Sequence, residues 1–151
     1  MPSYAGGCHC GAIRFRVRGV IDELVECNCS ICAKTAYLHW EVEPQQFELE
    51  KGEQALSNYR FGTLQSQNYF CRTCGISPFR RSRSDPDAID INARCLDGVA
   101  LDGIPIVPFD GVHWEDQMRR LAATGESGIS GESGISDESG ISDEPGVSDG
   151  T

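Results

Sequence analysis

The chain is short of several things, and each shortage narrows its function. Basic charge is scarce: 13 lysines and arginines stand against 23 acids, for a formal net charge of −10. Binding nucleic acid through its phosphates needs a concentrated basic surface, so that class is disfavoured. No apolar run approaches the roughly 18 residues of a membrane-spanning helix. The opening MPSYAGGCHC has no basic segment followed by an apolar stretch, so it does not read as a signal peptide. The expected setting is cytoplasmic and away from membranes, where cysteines stay reduced and more often bind metal or do chemistry than pair.

The acidity is unevenly spread. From Gly125 onward there are seven acids and no bases, leaving 16 acids against 13 bases over residues 1 to 124. Those last 27 residues are a degenerate hexapeptide repeat, GESGIS, GESGIS, DESGIS, DEPGVS, then DGT. One small apolar residue per repeat cannot offset the entropy of ordering it, so residues 125–151 are expected to form a disordered acidic tail. A partner-binding repeat is the other reading of the tail. Residues 1–124 are expected to be the single folded domain, large enough for a workable core.

Helical periodicity is also scarce. Only HWEDQMRRLAA, with Trp114, Met118 and Leu121 on one face, reads as a helix. Strand patterns dominate. In GAIRFRVRG the apolar Ile13, Phe15 and Val17 alternate with Arg14, Arg16 and Arg18, which gives one buried and one wet face. Further strand candidates lie at 20–27, 37–43, 46–52, 55–61, 65–71, 77–81 and 88–92. Many short strands at close spacing predict a mainly β fold of small antiparallel sheets.

Cysteine, by contrast, is plentiful, with eight at positions 8, 10, 27, 29, 32, 71, 74 and 95. Cys8 and Cys10 form a C-x-C pair before the first clear strand, and Cys71 and Cys74 a C-x-x-C pair after another. Two chelating pairs, each followed by glycine, suit a tetrahedral four-thiolate zinc site, with reduced structural thiols as the bland alternative. The cluster CNCSICAK places Cys27, Cys29 and Cys32 where three sulfurs can face one ion, with Lys34 close by in sequence to favour thiolate. Three ligands and one exchangeable position is the arrangement of catalytic zinc. Arithmetic alone favours a different reading, in which Cys95 closes the site to give two closed four-cysteine sites; a redox-sensing thiol cluster is a third possibility.

Other residues carry weaker signals. His9 lies between two candidate ligands and is expected to face solvent. His39 and His113, each next to a tryptophan, read as packing or surface residues. Asn92 reads as a backbone-bonding residue, Phe70 and Phe79 as core, and Ser30 as a hydroxyl near the three-thiol cluster.

The segments GGCHCGAIRFRVRG, CNCSICAK, YFCRTCGISPFRR, IDINARCLDG and PFDGVHWED, taken together and in order from about Gly6 to Trp114, resemble the glutathione-dependent formaldehyde-activating enzyme family, also called the centromere protein V family. The resemblance implies an Mss4-like, β-rich zinc-binding fold with two zinc ions per chain. It implies a structural zinc on Cys8, Cys10, Cys71 and Cys74, and a catalytic zinc with an open position on Cys27, Cys29 and Cys32. Cys95 would then be no ligand but a small residue packed beside Leu96. The implied reaction joins glutathione and formaldehyde into S-(hydroxymethyl)glutathione, a carbon–sulfur lyase activity with a small-molecule thiol as partner. Arg72, Arg80 and Arg81 are the candidates nearest the cysteine motifs for holding glutathione's carboxylates. The competing reading is a non-enzymatic zinc module with two closed sites and an acidic tail that engages a partner.

Overall fold

A computed structural model describes residues 1–124; the repeat segment 125–151, expected to be disordered, lies outside the described residues. The fold is mainly β. Strands β1 (Ser3–Gly7), β2 (Arg14–Arg18) and β5 (Phe47–Lys51) form an antiparallel three-stranded sheet in the order β1-β2-β5. The other sheet has seven strands: β3 (Leu24–Cys27), β4 (Leu38–Val42), β6 (Leu56–Tyr59), β7 (Gln67–Cys71), β8 (Phe79–Arg81), β9 (Ile89–Asn92) and β10 (Ile106–Phe109). Their order is β10-β3-β4-β9-β8-β7-β6. Strand pairing is antiparallel, as expected, except at one edge, where β10 runs parallel to β3. Helix α1 (Ser30–Thr35) lies inside the cysteine cluster, and α2 (Trp114–Thr124) covers the helix read from the sequence.

The core lies where the period-two patterns direct it. Ile13, just before β2, and Phe15 and Val17 within it are fully buried, and Leu24, Leu38, Trp40, Val42, Phe79, Ile89 and Ile91 meet them from the larger sheet. Aromatic rings join the two layers: Phe47 lies 5.4 Å from Phe15 and 4.8 Å from Phe79 between centroids, and Tyr69 lies 5.4 Å from Phe79. Such tilted arrangements suit the ring quadrupoles better than face-to-face stacking. Phe79 is core as expected, whereas Phe70 is only half-buried.

The same alternation decides what the other face of the larger sheet carries. With Leu38, Trp40 and Val42 turned to the core, His39 and Glu41 of β4 point the opposite way; with Ile89 and Ile91 inward, so do Asp90 and Asn92 of β9. The register then aligns them. Arg80 of β8 pairs with Asp90, Asn68 of β7 pairs with Arg80, and His39 pairs with Asn92, diagonally next to Asp90. Val25 of β3 is opposite His39, so Cys27, two residues on, shares that face. One polar row therefore crosses five strands and ends at the first sulfur of the three-cysteine cluster.

Candidate metal centres

Two groups of sulfurs form among the described residues, and in each the sulfur atoms lie within 4.8 Å of one another. The first brings together Cys8, Cys10, Cys71 and Cys74. Cys8 follows the end of β1, and Cys71 ends β7, so two strand ends each supply a chelating turn. The Cys8–Cys10 and Cys10–Cys71 Sγ separations are both 3.7 Å. With zinc–sulfur bonds of about 2.3 Å, a tetrahedron has sulfur–sulfur edges of about 3.8 Å, so the donor set fits that geometry. Backbone amides of Ile13, Thr73 and Cys74 point at Cys8 or Cys71 Sγ at 3.3–3.5 Å and hold the sulfurs in place.

The glycines after each pair, Gly11 and Gly75, have φ of +84° and +81°, and a Cβ at either would meet nothing within 4 Å. Each turn therefore closes through the left-handed region, which glycine enters at no steric cost. His9 is exposed, as expected.

The second group is Cys27, Cys29 and Cys32. Cys27 ends β3, Cys29 caps α1, and Cys32 lies within that helix, so the short helix that sequence periodicity could not reveal is what turns the third sulfur back toward the first two. The Cys29 amide contacts Cys27 Sγ at 3.4 Å. The loop after β10 closes over this turn. Asn28 Nδ2 donates to Asp110 Oδ1 at 3.1 Å, and the Val112 amide donates back to Asn28 Oδ1 at 2.9 Å. Gly111 faces the cluster so closely that a Cβ there would lie 2.3 Å from Cys27 Sγ. Lys34 is exposed in the last turn of α1.

The three thiols cannot all ionise without a cation. Hydrogen bonds from Cys27 and Cys32 pull Cys29 down to about 2. Sharing with Cys29 pushes Cys27 up to about 12, and Cys32 is driven up by its bonds to Cys27 and Cys29 and by burial. The three sulfurs thus compete for negative charge, and a bound cation would favour their joint ionisation.

Cys95 belongs to neither group. It lies in the turn after β9, half-buried, with its thiol directed to the Ser77 carbonyl at 3.7 Å. Burial and the nearby Cys8 and Cys74 push it up to about 12, which places it on the side of the four-sulfur group.

The sequence reading missed the surroundings of Cys32. His39, expected to be packing or surface, is buried with Nε2 at 3.2 Å from Cys32 Sγ and Nδ1 at 2.7 Å from Asp90 Oδ2. The Arg80 side chain is 13% exposed. Its Nε donates to Asp90 Oδ2 at 3.2 Å, and its Nη1 reaches Asn68 Oδ1 at 3.2 Å and Cys32 Sγ at 3.8 Å. Burial alone would raise the Asp90 carboxyl, but His39 and Arg80 hold it below its ordinary value. Tyr37 closes the network from above, with its hydroxyl on the Asp90 carbonyl at 2.6 Å.

The other arginines are placed elsewhere. Arg72 is exposed and donates to the Gln54 carbonyl, and Arg81 donates to the carbonyls of Pro86 and Asp87. Asn92 bonds backbone as expected, donating from Nδ2 to the Ser77 carbonyl and accepting from the Arg94 amide at Oδ1, and His113 pairs with Asp110. The Ser30 hydroxyl is buried with no hydrogen-bond partner among the described residues.

A cleft of about 1220 Å³ opens over the polar face of the sheet, lined by Cys27, Cys29, His39, Arg80, Asp90 and, from the far wall, Arg83 and Trp114. Arg83 stacks on Trp114 with its guanidinium carbon 3.9 Å from the ring centroid. Among the described residues it has no carboxylate partner. No helix among the described residues is long and apolar enough to cross a membrane.

The family model described as "Glutathione-dependent formaldehyde-activating enzyme" matches residues 3–105. The crystal structure of a protein from Rhodobacter sphaeroides superposes with a TM-score of 0.62 at 30% sequence identity, covering 68% of this chain and 99% of that one.

Proposed function

The chain belongs to the glutathione-dependent formaldehyde-activating enzyme family, and on that premise we propose that it is a zinc-dependent carbon–sulfur lyase. Its reaction joins a small thiol such as glutathione to formaldehyde, or cleaves such an adduct. The observation that carries this reading is the incomplete ligand set: three sulfurs grouped together, two of them lining a cleft, and no fourth histidine, cysteine or carboxylate in the group among the described residues. A closed module would need a fourth donor, and the residue suggested for that role, Cys95, bonds Ser77 instead.

In this reading Cys8, Cys10, Cys71 and Cys74 hold a structural zinc ion, and Cys27, Cys29 and Cys32 hold the catalytic one. Zinc bound by three thiolates supplies a Lewis acid that lowers the pKa of a thiol brought to its open position. The remaining work falls to the protein. The cleft confines thiol and aldehyde together, which raises their effective concentration for an addition that is already facile. The sulfur–carbon bond forms, the carbonyl π bond breaks, and the thiol proton ends on the new hydroxyl oxygen; the reverse reaction retraces those steps. Arg83, rather than Arg72, Arg80 or Arg81, is the cation for a substrate carboxylate, because it lines the cleft without an acid of its own. Eight unpaired cysteines fit a reducing, cytoplasmic setting.

Metal content tests the ligand assignment. Wild type and Cys95→Ser are expected to hold two zinc ions per chain, and Cys29→Ser one, with the fold intact. Loss of an ion from Cys95→Ser would favour the closed, non-enzymatic module.

A further inference from the structure

A histidine, an aspartate and an arginine, with side chains 10%, 5% and 13% exposed, line the cleft beside the three-cysteine cluster, and burying charge to this extent costs several kcal/mol per ion before pairing offsets it. Well-packed apolar residues would often be as stable or more so. The network is therefore poorly explained by stability alone. Its parts come from three strands, converge on the single oxygen Oδ2 of Asp90, and reach one sulfur, Cys32.

Cys32 differs from its two neighbours. Cys27 and Cys29 line the cleft, whereas Cys32 is buried and does not. The Asp90 carboxylate accepts the Nδ1–H of His39, which fixes the ring so that Nε2 faces the sulfur; the same oxygen accepts the Nε–H of Arg80, which directs Nη1 to the sulfur from another side. His39 is not itself a fourth ligand. A histidine nitrogen completing a tetrahedron would lie about 3.5 Å from every sulfur, given bonds of about 2.3 and 2.0 Å. It would then group with all three cysteines, and only the sulfurs group.

We infer that His39 and Arg80, both oriented by Asp90, are positioning residues for Cys32: both hold its sulfur in the ligand set, and Arg80, whose Nη1 donates to it, draws negative charge from it. This rests on the reading that Cys27, Cys29 and Cys32 bind zinc. Hydrogen bonds to a ligating sulfur weaken its donation to the ion and leave the ion a stronger Lewis acid, which suits a site that must activate an incoming thiol.

The test uses the full chain titrated with cobalt(II), whose sulfur-to-metal charge-transfer absorption reports ligand charge without any turnover. Wild type is expected to bind two ions. In His39→Ala the second ion should bind about 10–100-fold more weakly in chelator competition, the usual effect of removing an outer partner of a metal ligand. Its charge-transfer band should shift, the first ion should be unaffected, and His39→Gln, which retains an amide group near the sulfur, should recover part of both effects. Asp90→Asn should shift the same band. His39→Phe, a ring without nitrogens, replaces the alanine variant if that one does not fold. Wild-type affinity and an unshifted band in the folded alanine or phenylalanine variant would overturn the positioning role while leaving the metal reading intact. A wild-type chain that takes only one ion would overturn the metal reading and this inference with it.

Discussion

Gly111 stands against Cys27 so closely that no other residue fits: a Cβ at position 111 would lie 2.3 Å from the sulfur and 3.1 Å from Cys29 Cβ. The loop after β10 thus forms one wall of the three-thiol cluster, and Asn28 and Asp110 tie that wall to the turn it covers. Gly111→Ala is expected to cost about 1–3 kcal/mol by overpacking and to displace Cys27. Metal analysis should find the second ion lost and the first retained. Two ions at wild-type affinity would show that the wall is not needed.

The four-sulfur group joins the three-stranded sheet to the end of β7, so an ion held there would act as a staple between layers. Structural zinc contributes on the order of 10–16 kcal/mol in small peptides, comparable to the whole stability of a domain. Cys71→Ser, or a strong chelator, should therefore unfold the described domain, read as loss of near-ultraviolet circular dichroism. Gly11→Ala and Gly75→Ala should be milder, each costing about 1–2 kcal/mol for a left-handed alanine with both ions kept.

Arg83 makes a prediction about specificity. Arg83→Ala should raise KM for glutathione several-fold with little change in kcat, since a carboxylate contact remote from the reacting sulfur is made equally in ground and transition states. Arg72→Ala, on an exposed residue bonded to Gln54, should change neither. Equal KM values in both variants would remove Arg83 from the site.

Acid should loosen the loop over the cluster. Burial alone would raise the Asp110 carboxyl, but hydrogen bonds from Asn28 and His113 hold it below its ordinary value. A carboxyl lowered on folding adds stability that is present above its unfolded pKa of about 3.9 and disappears as pH falls through the folded value. The stability gap between wild type and Asp110→Asn, from denaturant unfolding, should therefore be widest near neutrality and close below about pH 4. A gap independent of pH would contradict the assignment.

Most of the strand pattern was legible because it depends on local alternation. Ile13, Phe15 and Val17 read as one face and are one face, and every segment read as a strand contains one. Strand β1 was hidden by its small residues, SYAGG, which show no alternation; β10 was hidden by Pro108; α1 is too short for helical periodicity. The chelating motifs were legible from spacing because C-x-C and C-x-x-C close on themselves, but counting alone favoured Cys95 as a fourth member of the second group, and the family resemblance was what set it aside. His39, Asp90 and Arg80 were not legible. Each lies on the polar face of its own strand, which alternation allows, but only the register of three strands brings them to Cys32, and no local pattern records a register.

The central claim is that the vacancy left by Cys27, Cys29 and Cys32 activates a thiol toward formaldehyde. Exchange spectroscopy on mixtures of formaldehyde and glutathione measures this directly, through the rate at which the hydroxymethyl group moves between free and adduct states. The account predicts faster exchange with the zinc-loaded wild type than in buffer, and exchange at the buffer rate with folded Cys29→Ser. Buffer-rate exchange at high concentrations of zinc-loaded wild type would contradict it.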